Sequence, residues 1–345
     1  MRNSLVSYVV GGVKALPALG GVLVAVAFLS LVVSTPWSAS PSDHSEVTPW
    51  DMFFSVAHLG GDRWWVVGKN GALLSSTDGG LTWARRALAR RGDHSWYDLY
   101  SIRFAPDGVY GWISGEDGLI LHSEDGGATW TPQTSGVKAH LFRTIPIDAS
   151  HVVAAGADGN LLWTYDGGRQ WHGQVMKNGI TFFDAAFGDA TNGWAVGEFS
   201  AVAHTSDGGI TWAMQTGGNR TDFRAPAYLH TSFADARRGW VAGQGGKIVG
   251  TEDGGITWHP VNSPVDVPVY GGDIGPDSLW LVGSDGVVLS LRLNGSVAST
   301  INTRPTFSTL VEVAVANQTA LAVGDDGAIL RSTDGGKNWE HVGIR

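Results

Sequence analysis

The chain contains no cysteine among its 345 residues. This excludes a disulfide framework, thiol catalysis, cysteine-based metal sites and an anchor acylated at an N-terminal cysteine. Positive charge is also scarce, because 23 Lys and Arg stand against 32 Asp and Glu, which gives a net charge of −9. An acidic chain is a poor nucleic-acid binder, so no nucleic-acid partner is expected. The 11 His show no metal-ligand spacing, and the sequence therefore predicts neither a metal site nor a cofactor.

Glycine and tryptophan, in contrast, are abundant, with 49 and 16 residues. Both excesses are explained by a repeat, one part of which is an eight-residue motif, Ser/Thr-x-Asp-Gly-Gly-x-Thr-Trp, that recurs along the chain. The six copies run from Ser76 to Trp83, Ser123 to Trp130, Thr164 to Trp171, Thr205 to Trp212, Thr251 to Trp258 and Ser332 to Trp339. Gln170 and Asn338 replace the threonine in two of them. Such a repeat is the first guide to the fold, because each copy marks one structural unit.

Each copy of this motif predicts a β-hairpin turn. The aspartate can accept hydrogen bonds from backbone N–H groups, and the glycines can supply the positive φ angles that the turn requires. The tryptophan can cover the turn with an apolar face. Six near-identical pairs indicate scaffold rather than six active sites. We therefore assign a structural role to Asp78 and Trp83, Asp125 and Trp130, Asp166 and Trp171, Asp207 and Trp212, Asp253 and Trp258, and Asp334 and Trp339.

A second motif, a short apolar run that ends in glycine, has seven copies. Their glycines recur every 40 to 47 residues, at Gly68, Gly115, Gly156, Gly197, Gly243, Gly283 and Gly324. Most are followed by an Asn-Gly or Asp-Gly pair, which is a strong hairpin signal between apolar runs. In the sixth unit the box has decayed, with Leu293 and Ala298 in the places of its Asp and Trp.

Seven units with four short strand signals each predict an all-β fold, a seven-bladed β-propeller. In the first unit the signals are Met52–Ala57, Arg63–Gly68, Ala72–Thr77 and Thr82–Ala87. A β-solenoid and an open array are the alternatives, and radial closure is favoured because it leaves only short, protected strand edges. The first and last units both look complete. This predicts ring closure by side-chain packing, or by a short strand around Val47–Trp50.

A run of 19 uncharged residues, Ala15 to Val33, precedes the repeats and is long enough to span a bilayer as a helix. Arg2 and Lys14 precede it, so the positive-inside rule places the N-terminus in the cytoplasm and the propeller outside it. The sequence thus predicts an N-terminal transmembrane helix. The alternative is a signal peptide cleaved near Ser38–Ser40.

These features divide the chain into a transmembrane anchor over residues 1–34, a tether over 35–49 and the propeller over 50–345. The tether is polar and contains serine and proline, so it would hold the propeller close to the membrane. We expect a single-pass protein of a bacterial inner membrane, in contact with lipid through residues 15–33 and with its propeller on the periplasmic side.

Two inter-blade connections, Ala84–Asp98 and Ala213–Ala227, are longer than the others and rich in arginine. Long loops on a rigid scaffold often bind partners, and arginine suits contacts with carboxylates or lipid phosphates. The candidate partner-binding residues are Arg85, Arg86, Arg90, Arg91, Arg220 and Arg224. The alternative is that both loops are only solvated. Asp184 and His230, on predicted innermost strands, are expected to point into the central channel as a polar lining.

The eight-residue motif resembles the Asp-box, or BNR, repeat of sialidases, sortilin-like receptors and the photosystem II stability/assembly factor family. The fuller units FGDATNGWAVGEFSAVAHTSDGGITW and FADARRGWVAGQGGKIVGTEDGGITW resemble the assembly-factor propeller, over roughly residues 50–345. The resemblance implies a non-enzymatic propeller that binds and stabilises an integral-membrane protein complex during assembly. It also implies an arginine patch on one face. For a bacterium without photosynthesis, the analogy with this family implies an inner-membrane transporter of the resistance-nodulation-division class as the partner.

Two alternative functions remain open from the residues. A sialidase needs three arginines that bind the substrate carboxylate, a Tyr–Glu pair that acts as nucleophile and base, and an Asp that acts as the acid. Phe142-Arg143-Thr144-Ile145-Pro146 resembles the sialidase Phe-Arg-Ile-Pro motif with one insertion, but it follows the second box, and Arg143 fits an innermost strand better. None of the 7 tyrosines lies in a recognisable nucleophile context. The other alternative is a soluble periplasmic lectin, which signal cleavage would release.

Overall fold

Short antiparallel sheets follow one another along the chain in a computed structural model that describes residues 47–48, 50–88, 96–177, 179–218, 222, 224–293 and 305–342. There are seven sheets, and in each the strands pair in sequence order. We call each sheet a blade and number the blades along the chain. The second strand of a blade is short, mostly apolar and buried, as in blades 2, 3 and 4, which is expected for a strand covered on both faces.

The strands of the first four blades alternate with tight turns and short loops. Blade 1 contains β1 (Phe53–Gly60), β2 (Arg63–Gly68), β3 (Leu73–Ser76) and β4 (Ala84–Arg85). Blade 2 contains β5 (Leu99–Phe104), β6 (Gly111–Gly115), β7 (Ile120–Ser123) and β8 (Thr131–Gln133). Blade 3 contains β9 (Leu141–Pro146), β10 (Val152–Gly156), β11 (Asn160–Thr164) and β12 (His172–Val175). Blade 4 contains β13 (Phe182–Phe187), β14 (Gly193–Gly197), β15 (Val202–Thr205) and β16 (Ala213–Thr216).

The last three blades continue the same order. Blade 5 contains β17 (Tyr228–Phe233), β18 (Gly239–Gly243), β19 (Ile248–Thr251) and β20 (His259–Val261). Blade 6 contains β21 (Val269–Ile274), β22 (Ser278–Gly283) and β23 (Val288–Arg292), and residues 294–304 that follow lie outside the described part. Blade 7 contains β24 (Leu310–Ala316), β25 (Thr319–Gly324), β26 (Ile329–Ser332) and β27 (Glu340–His341).

Three-residue 3₁₀ turns join the second and third strands of the first six blades. They are Lys69–Gly71, Glu116–Gly118, Ala157–Gly159, Glu198–Ser200, Gln244–Gly246 and Ser284–Gly286. The middle residue of each is left-handed, with φ of 54° at Asn70 and 56° at Asp158. Asn, Asp and Gly tolerate that conformation best, which explains the Asn-Gly and Asp-Gly signals. Blade 4 is the exception, because Phe199 takes the left-handed position with φ of 55°.

The hydrophobic core lies between the blades rather than within one central layer. Buried apolar side chains form seven clusters, and each cluster joins two neighbouring blades. The innermost strands of successive blades contact one another around the ring, and β24 contacts β1. This arrangement confirms the predicted all-β, seven-bladed propeller.

Blade 7 packs against blade 1 to close the ring, and within the described residues no strand is exchanged between the two ends of the propeller. Buried Leu321 and Val342 of blade 7 belong to one cluster with Val47 and Trp64. The backbone N–H of Gly327 donates to the carbonyl of Asp51 at 2.7 Å. Val47 and Thr48 do not form a strand. Of the two predicted modes of closure, side-chain packing is therefore the one found.

The predicted anchor, residues 1–34, and most of the predicted tether, 35–49, lie outside the described residues. Within the described ranges, no helix has the length and apolar character needed to cross a bilayer.

Candidate binding site at the mouth of the central channel

The two faces of the propeller differ in what they present. In each four-stranded blade the second-to-third-strand turn and the inter-blade connection lie on one face, which we call the turn face. The other, the box face, carries the Asp boxes and the first-to-second-strand hairpins. Hydrogen bonds reflect this division: Gly71 N–H donates to Tyr97 O at 2.8 Å on the turn face, and Gly79 N–H donates to Asp62 O at 2.9 Å on the box face.

Each Asp box forms a self-contained hydrogen-bonded turn. In the first, Asp78 Oδ1 accepts from the backbone N–H of Leu81 at 3.0 Å and of Thr82 at 2.9 Å, and Oδ2 accepts from Thr82 Oγ1 at 2.5 Å. Trp83 Nε1 donates to Gly80 O at 3.1 Å. Partial burial raises the pKa of Asp78, but these hydrogen bonds outweigh it and lower the pKa to about 2. The aspartate is thereby committed to the turn as a carboxylate.

In the other five boxes the aspartate side chain accepts the same kinds of hydrogen bond. The residue two places before each aspartate donates a hydroxyl to it, and the residue four places after donates its backbone N–H. The aspartates are Asp125, Asp166, Asp207, Asp253 and Asp334. The boxes therefore have the turn geometry that the sequence predicts, and the described hydrogen bonds of each aspartate side chain lie inside its own turn.

The second glycine of a box is where one blade meets the blade before it. A Cβ on Gly80 would lie 2.8 Å from the Leu321 side chain of blade 7, and one on Gly127 would lie 2.6 Å from the Trp65 ring of blade 1. Gly336 packs in the same way against Trp280 of blade 6. Because glycine has no side chain, the box can pack directly against the second strand of the preceding blade.

Three of the six arginines of the long loops lie among the described residues. Arg90, Arg91 and Arg220 lie outside the described residues. Arg85 Nη2 pairs with Asp51 Oδ1 at 2.8 Å, and Arg86 Nε donates to Ser75 Oγ at 2.8 Å. Arg224 is exposed. The arginine patch therefore stays a prediction.

A ring of seven apolar side chains surrounds the mouth of the central channel on the turn face. Each is the second residue of an innermost strand: Phe54, Tyr100, Phe142, Phe183, Leu229, Tyr270 and Val311. Four aromatic rings are in series, with centroids 5.7 Å apart for Phe54 and Tyr100, 5.1 Å for Tyr100 and Phe142, and 5.8 Å for Phe142 and Phe183. These side chains wall a cavity of about 160 Å³, which we call the cup.

Charged side chains close the channel below the cup. Arg143 lies between Asp184 of blade 4 and Glu312 of blade 7 and donates to both. Arg103 Nη2 reaches the same Glu312 Oε2 at 2.8 Å. His230 Nδ1 lies 2.8 Å from Asp184 Oδ2, and its Nε2 lies 2.6 Å from Ser232 Oγ. Five blades are thus joined across the axis by ionic and polar contacts, and Asp184 and His230 lie in the channel as the sequence predicts.

The protonation states in this layer follow from mutual charge. Burial lowers the pKa of Arg143, but Asp184 and Glu312 more than offset this and raise it. Burial likewise raises the pKa of Asp184 and of Glu312. Arg143 and His230, together with the Thr231 N–H at Asp184 and Arg103 at Glu312, more than offset burial and lower both pKa values, so both groups remain carboxylates. Deeper in the channel, burial dominates at Asp273 and raises its pKa. Arg103, Arg143, Asp184, His230 and Glu312 therefore form a layer of paired, mostly ionised side chains, which we call the ionic plug.

Two carboxylate oxygens that line the cup accept no hydrogen bond from the described residues. Both arginines donate to Glu312 Oε2, while Glu312 Oε1 is buried without a hydrogen-bond partner among the described residues. Asp325 Oδ1, from the blade 7 turn, is buried and unpartnered in the same sense. Burial and the neighbouring charge of Asp326 raise the pKa of Asp325. The cup therefore combines apolar walls with an excess of acceptor oxygens.

This geometry fits binding better than hydrolysis. Arg143, the residue that resembles the sialidase motif, uses its guanidinium on two carboxylates of the protein and is buried, so it does not face a substrate carboxylate. Across the described ranges, no group of three or more His, Asp or Glu is arranged to hold a metal ion. An apolar cup with acceptors at its floor and rim suits a ligand with an apolar group and donors.

The sequence reasoning missed the ring, Arg103, Glu312 and Asp325. A signal was present: the second residue of every innermost strand is bulky and apolar, while the third differs between blades. The third residues are Ser55, Ser101, Arg143, Asp184, His230, Gly271 and Glu312.

Comparison with solved structures supports the fold. The structure titled "YCF48 bound to D1 peptide" is 23% identical, with a TM-score of 0.67 over 84% of this chain and 95% of that one. YCF48 from Cyanidioschyzon merolae is 17% identical, with a TM-score of 0.64 over 83% and 98%. An ancestral GH74 enzyme, AFV00434, is 11% identical, with a TM-score of 0.67 over 86% of this chain and 47% of that one. At these identities the likeness concerns the fold alone.

Sequence comparison goes further. No significant match is found among curated proteins. The family model described as "Photosynthesis system II assembly factor YCF48" matches residues 30–178, 170–268 and 225–343, which together span most of the chain. The protein therefore belongs to the photosynthesis system II assembly factor YCF48 family.

Proposed function

We propose that the protein is a non-enzymatic, exported propeller that serves as an assembly, stability or accessory factor for an integral-membrane protein complex. The observation that carries the proposal is the cup, an apolar-walled recess of about 160 Å³ whose floor is sealed by the ionic plug. A sealed floor prevents passage through the ring and leaves a shallow receptor for a protruding group. Pockets with apolar walls and few polar groups are typical binding sites.

Two further observations support this proposal. Family membership connects the chain with assembly factors. A propeller of similar fold has been solved with a peptide, the D1 peptide. We propose that this chain likewise binds a segment of its partner, at the turn face, and that the rigid ring holds that segment while the complex forms.

The predicted anchor would place this receptor next to the membrane. Residues 15–33 would cross a bacterial inner membrane, with the propeller in the periplasm. A short tether of residues 35–49 would keep the turn face or its edge within reach of a membrane protein. A transporter of the resistance-nodulation-division class is the partner we propose in a non-photosynthetic bacterium.

A detergent pull-down with the full-length protein tests the proposal. We compare wild type with Phe142→Ala, in the cup, and Ile256→Ala, whose side chain is 81% exposed on the box face. The expected result is recovery of one integral-membrane complex by wild type and Ile256→Ala, and loss of it with Phe142→Ala. A third arm changes Arg85 and Arg86 to Glu and tests the arginine patch. If wild type enriches no membrane protein over an anchor-only control, the proposed function is wrong.

A further inference from the structure

The turn face carries the two most exposed large apolar side chains of the described chain. Phe307 is 96% exposed and Trp50 is 93% exposed. Both lie beside the blade 7 turn: Ser308 Oγ, next to Phe307, donates to Asp326 Oδ2 at 3.2 Å, and Asp51 O, next to Trp50, accepts from Gly327 N–H at 2.7 Å. Two aromatic side chains thus flank one acidic turn at the edge of the cup.

The turns around the cup are predominantly acidic. Those of the seven blades carry the carboxylates of Glu116, Asp117, Asp158, Glu198, Asp285, Asp325 and Asp326. Lys69 is the one lysine or arginine inside these turns, and Lys247 follows the fifth, with its Nζ 5.2 Å from the centre of the Tyr228 ring. The inter-blade connections of the same face add Arg85, which pairs with Asp51, Arg86, which donates to Ser75, and the exposed Arg224. The carboxylates of the turns outnumber these described arginines, and because opposite charge attracts a partner, the rim favours a cationic ligand.

The cup itself contains acceptors that point to the same chemistry. Glu312 is 3% exposed and lines the cup, and its Oε1 has no hydrogen-bond partner among the described residues. Asp325 also lines the cup and leaves Oδ1 unpartnered in that part of the chain. Buried acceptors without donors are unfavourable, and an ammonium or guanidinium group that reached them would relieve this.

The size of the cup fits an aromatic side chain. Its volume of about 160 Å³ is close to the roughly 150 Å³ of an engineered apolar cavity that accommodates benzene. Tyr100, Phe142 and Tyr270 present ring surfaces to it. Ring faces attract cations as well as apolar groups, so the wall suits both parts of such a ligand.

We infer that the cup and the blade 7 turn bind an extended peptide segment in which an aromatic or large aliphatic residue is flanked by Lys or Arg. The apolar side chain enters the cup, and the cationic group reaches Asp325 and Glu312. Trp50 and Phe307 cover the peptide where it leaves the cup. This inference rests on the proposed function, since it specifies the segment of the membrane partner that is recognised.

The test is peptide binding to the full-length protein in detergent, measured by fluorescence anisotropy at low and at physiological salt. The labelled peptides are Gly-Ser-Arg-Phe-Arg-Ser-Gly, Gly-Ser-Glu-Phe-Glu-Ser-Gly and Gly-Ser-Arg-Ala-Arg-Ser-Gly. We expect the first to bind best and the other two at least about tenfold more weakly, because each loses either the charge or the apolar anchor.

A matched pair of variants locates the site. Asp325→Asn removes the charge beside the cup and should weaken Arg-Phe-Arg binding about tenfold, the scale of a charge-assisted hydrogen bond. Asp62→Asn makes the same change on the box face, in the exposed hairpin between β1 and β2, and should leave binding within about twofold. Far-UV circular dichroism of both variants should match wild type.

Failure of this inference and failure of the proposed function give different results. Equal binding of the Arg and Glu peptides, or equal effects of the two variants, overturns the cationic-segment inference even if wild type recovers a membrane complex. Absence of any membrane complex in the pull-down overturns the proposed function, whatever the peptides do. Binding of the Arg-Phe-Arg peptide that is equally strong at low and at physiological salt would also contradict an electrostatic contact.

Discussion

The contact between an Asp box and the preceding blade can be tested with two adjacent glycines. Gly126 and Gly127 both have positive φ, 70° and 88°. A Cβ on Gly127 would lie 2.6 Å from Trp65 Cζ2, whereas a Cβ on Gly126 would meet nothing closer than 3.5 Å. Alanine at either site incurs similar backbone strain, but only at Gly127 must a buried tryptophan move.

The expected magnitudes separate the two variants. Left-handed strain costs about 1–2 kcal/mol for alanine, part of which the stiffer unfolded chain offsets. At Gly127 the displaced Trp65 adds an overpacking term of about 1–3 kcal/mol. We therefore expect Gly126→Ala to destabilise by about 1 kcal/mol and Gly127→Ala by about 2–4 kcal/mol.

Equilibrium urea denaturation, followed by tryptophan fluorescence and circular dichroism, measures the difference between the two midpoints. Trp65 lies at the altered contact, so its fluorescence in the folded state should also change in Gly127→Ala and not in Gly126→Ala. Equal destabilisation of the two variants would refute the view that the second glycine is required for contact between blades.

Three other perturbations test the channel and the boxes. Arg143→Met should destabilise by about 3–5 kcal/mol in urea denaturation, because Asp184 and Glu312 lose their shared cation in a buried layer. Asp78→Asn should be less stable than wild type above pH 3.8, and the difference of about 1 kcal/mol after solvent screening should vanish as the pH falls to about 2, where the depressed pKa of Asp78 lies. Asp325→Asn should be more stable than wild type at neutral pH, since burial and the neighbouring charge of Asp326 raise the pKa of Asp325 and disfavour its carboxylate. The gain in stability should disappear in acid, where Asp325 is protonated. A neutral or negative effect of Asp325→Asn at neutral pH would count against an unpaired carboxylate there.

The repeat predicts much of the scaffold, including β2, which lies at Arg63–Gly68 as expected. The fourth strand of blade 1 is shorter than Thr82–Ala87 and begins only at Ala84. The reason is local: the backbone N–H and hydroxyl of Thr82 donate to Asp78, so Thr82 belongs to the turn and its N–H cannot join the ladder. Strand propensity is thus overridden by the turn that precedes the strand.

The site could be predicted only in part, because the side chains that pair with one another in the channel are far apart in sequence. Asp184 and His230 could be placed in the channel from the alternation of their strands. The pairing of Arg103 with Glu312 spans 209 residues, and that of Arg143 with Glu312 spans 169. Such pairs meet only after the ring has closed, and a repeat that treats all blades alike says nothing about which blade supplies the partner.

The difference between repeated and unrepeated positions follows from the geometry of a ring. A residue at a blade boundary meets a side chain of the preceding blade wherever the box recurs, so its size is constrained in each copy, as at Gly127 against Trp65 and Gly80 against Leu321. A residue on the channel axis meets side chains from several blades at once, and identical residues there would place seven like groups together. Arg143, Asp184 and Glu312 can neutralise one another only because the repeat is broken at that position. Asymmetry at the axis is therefore what allows one sector, at blade 7, to keep a carboxylate oxygen for a ligand.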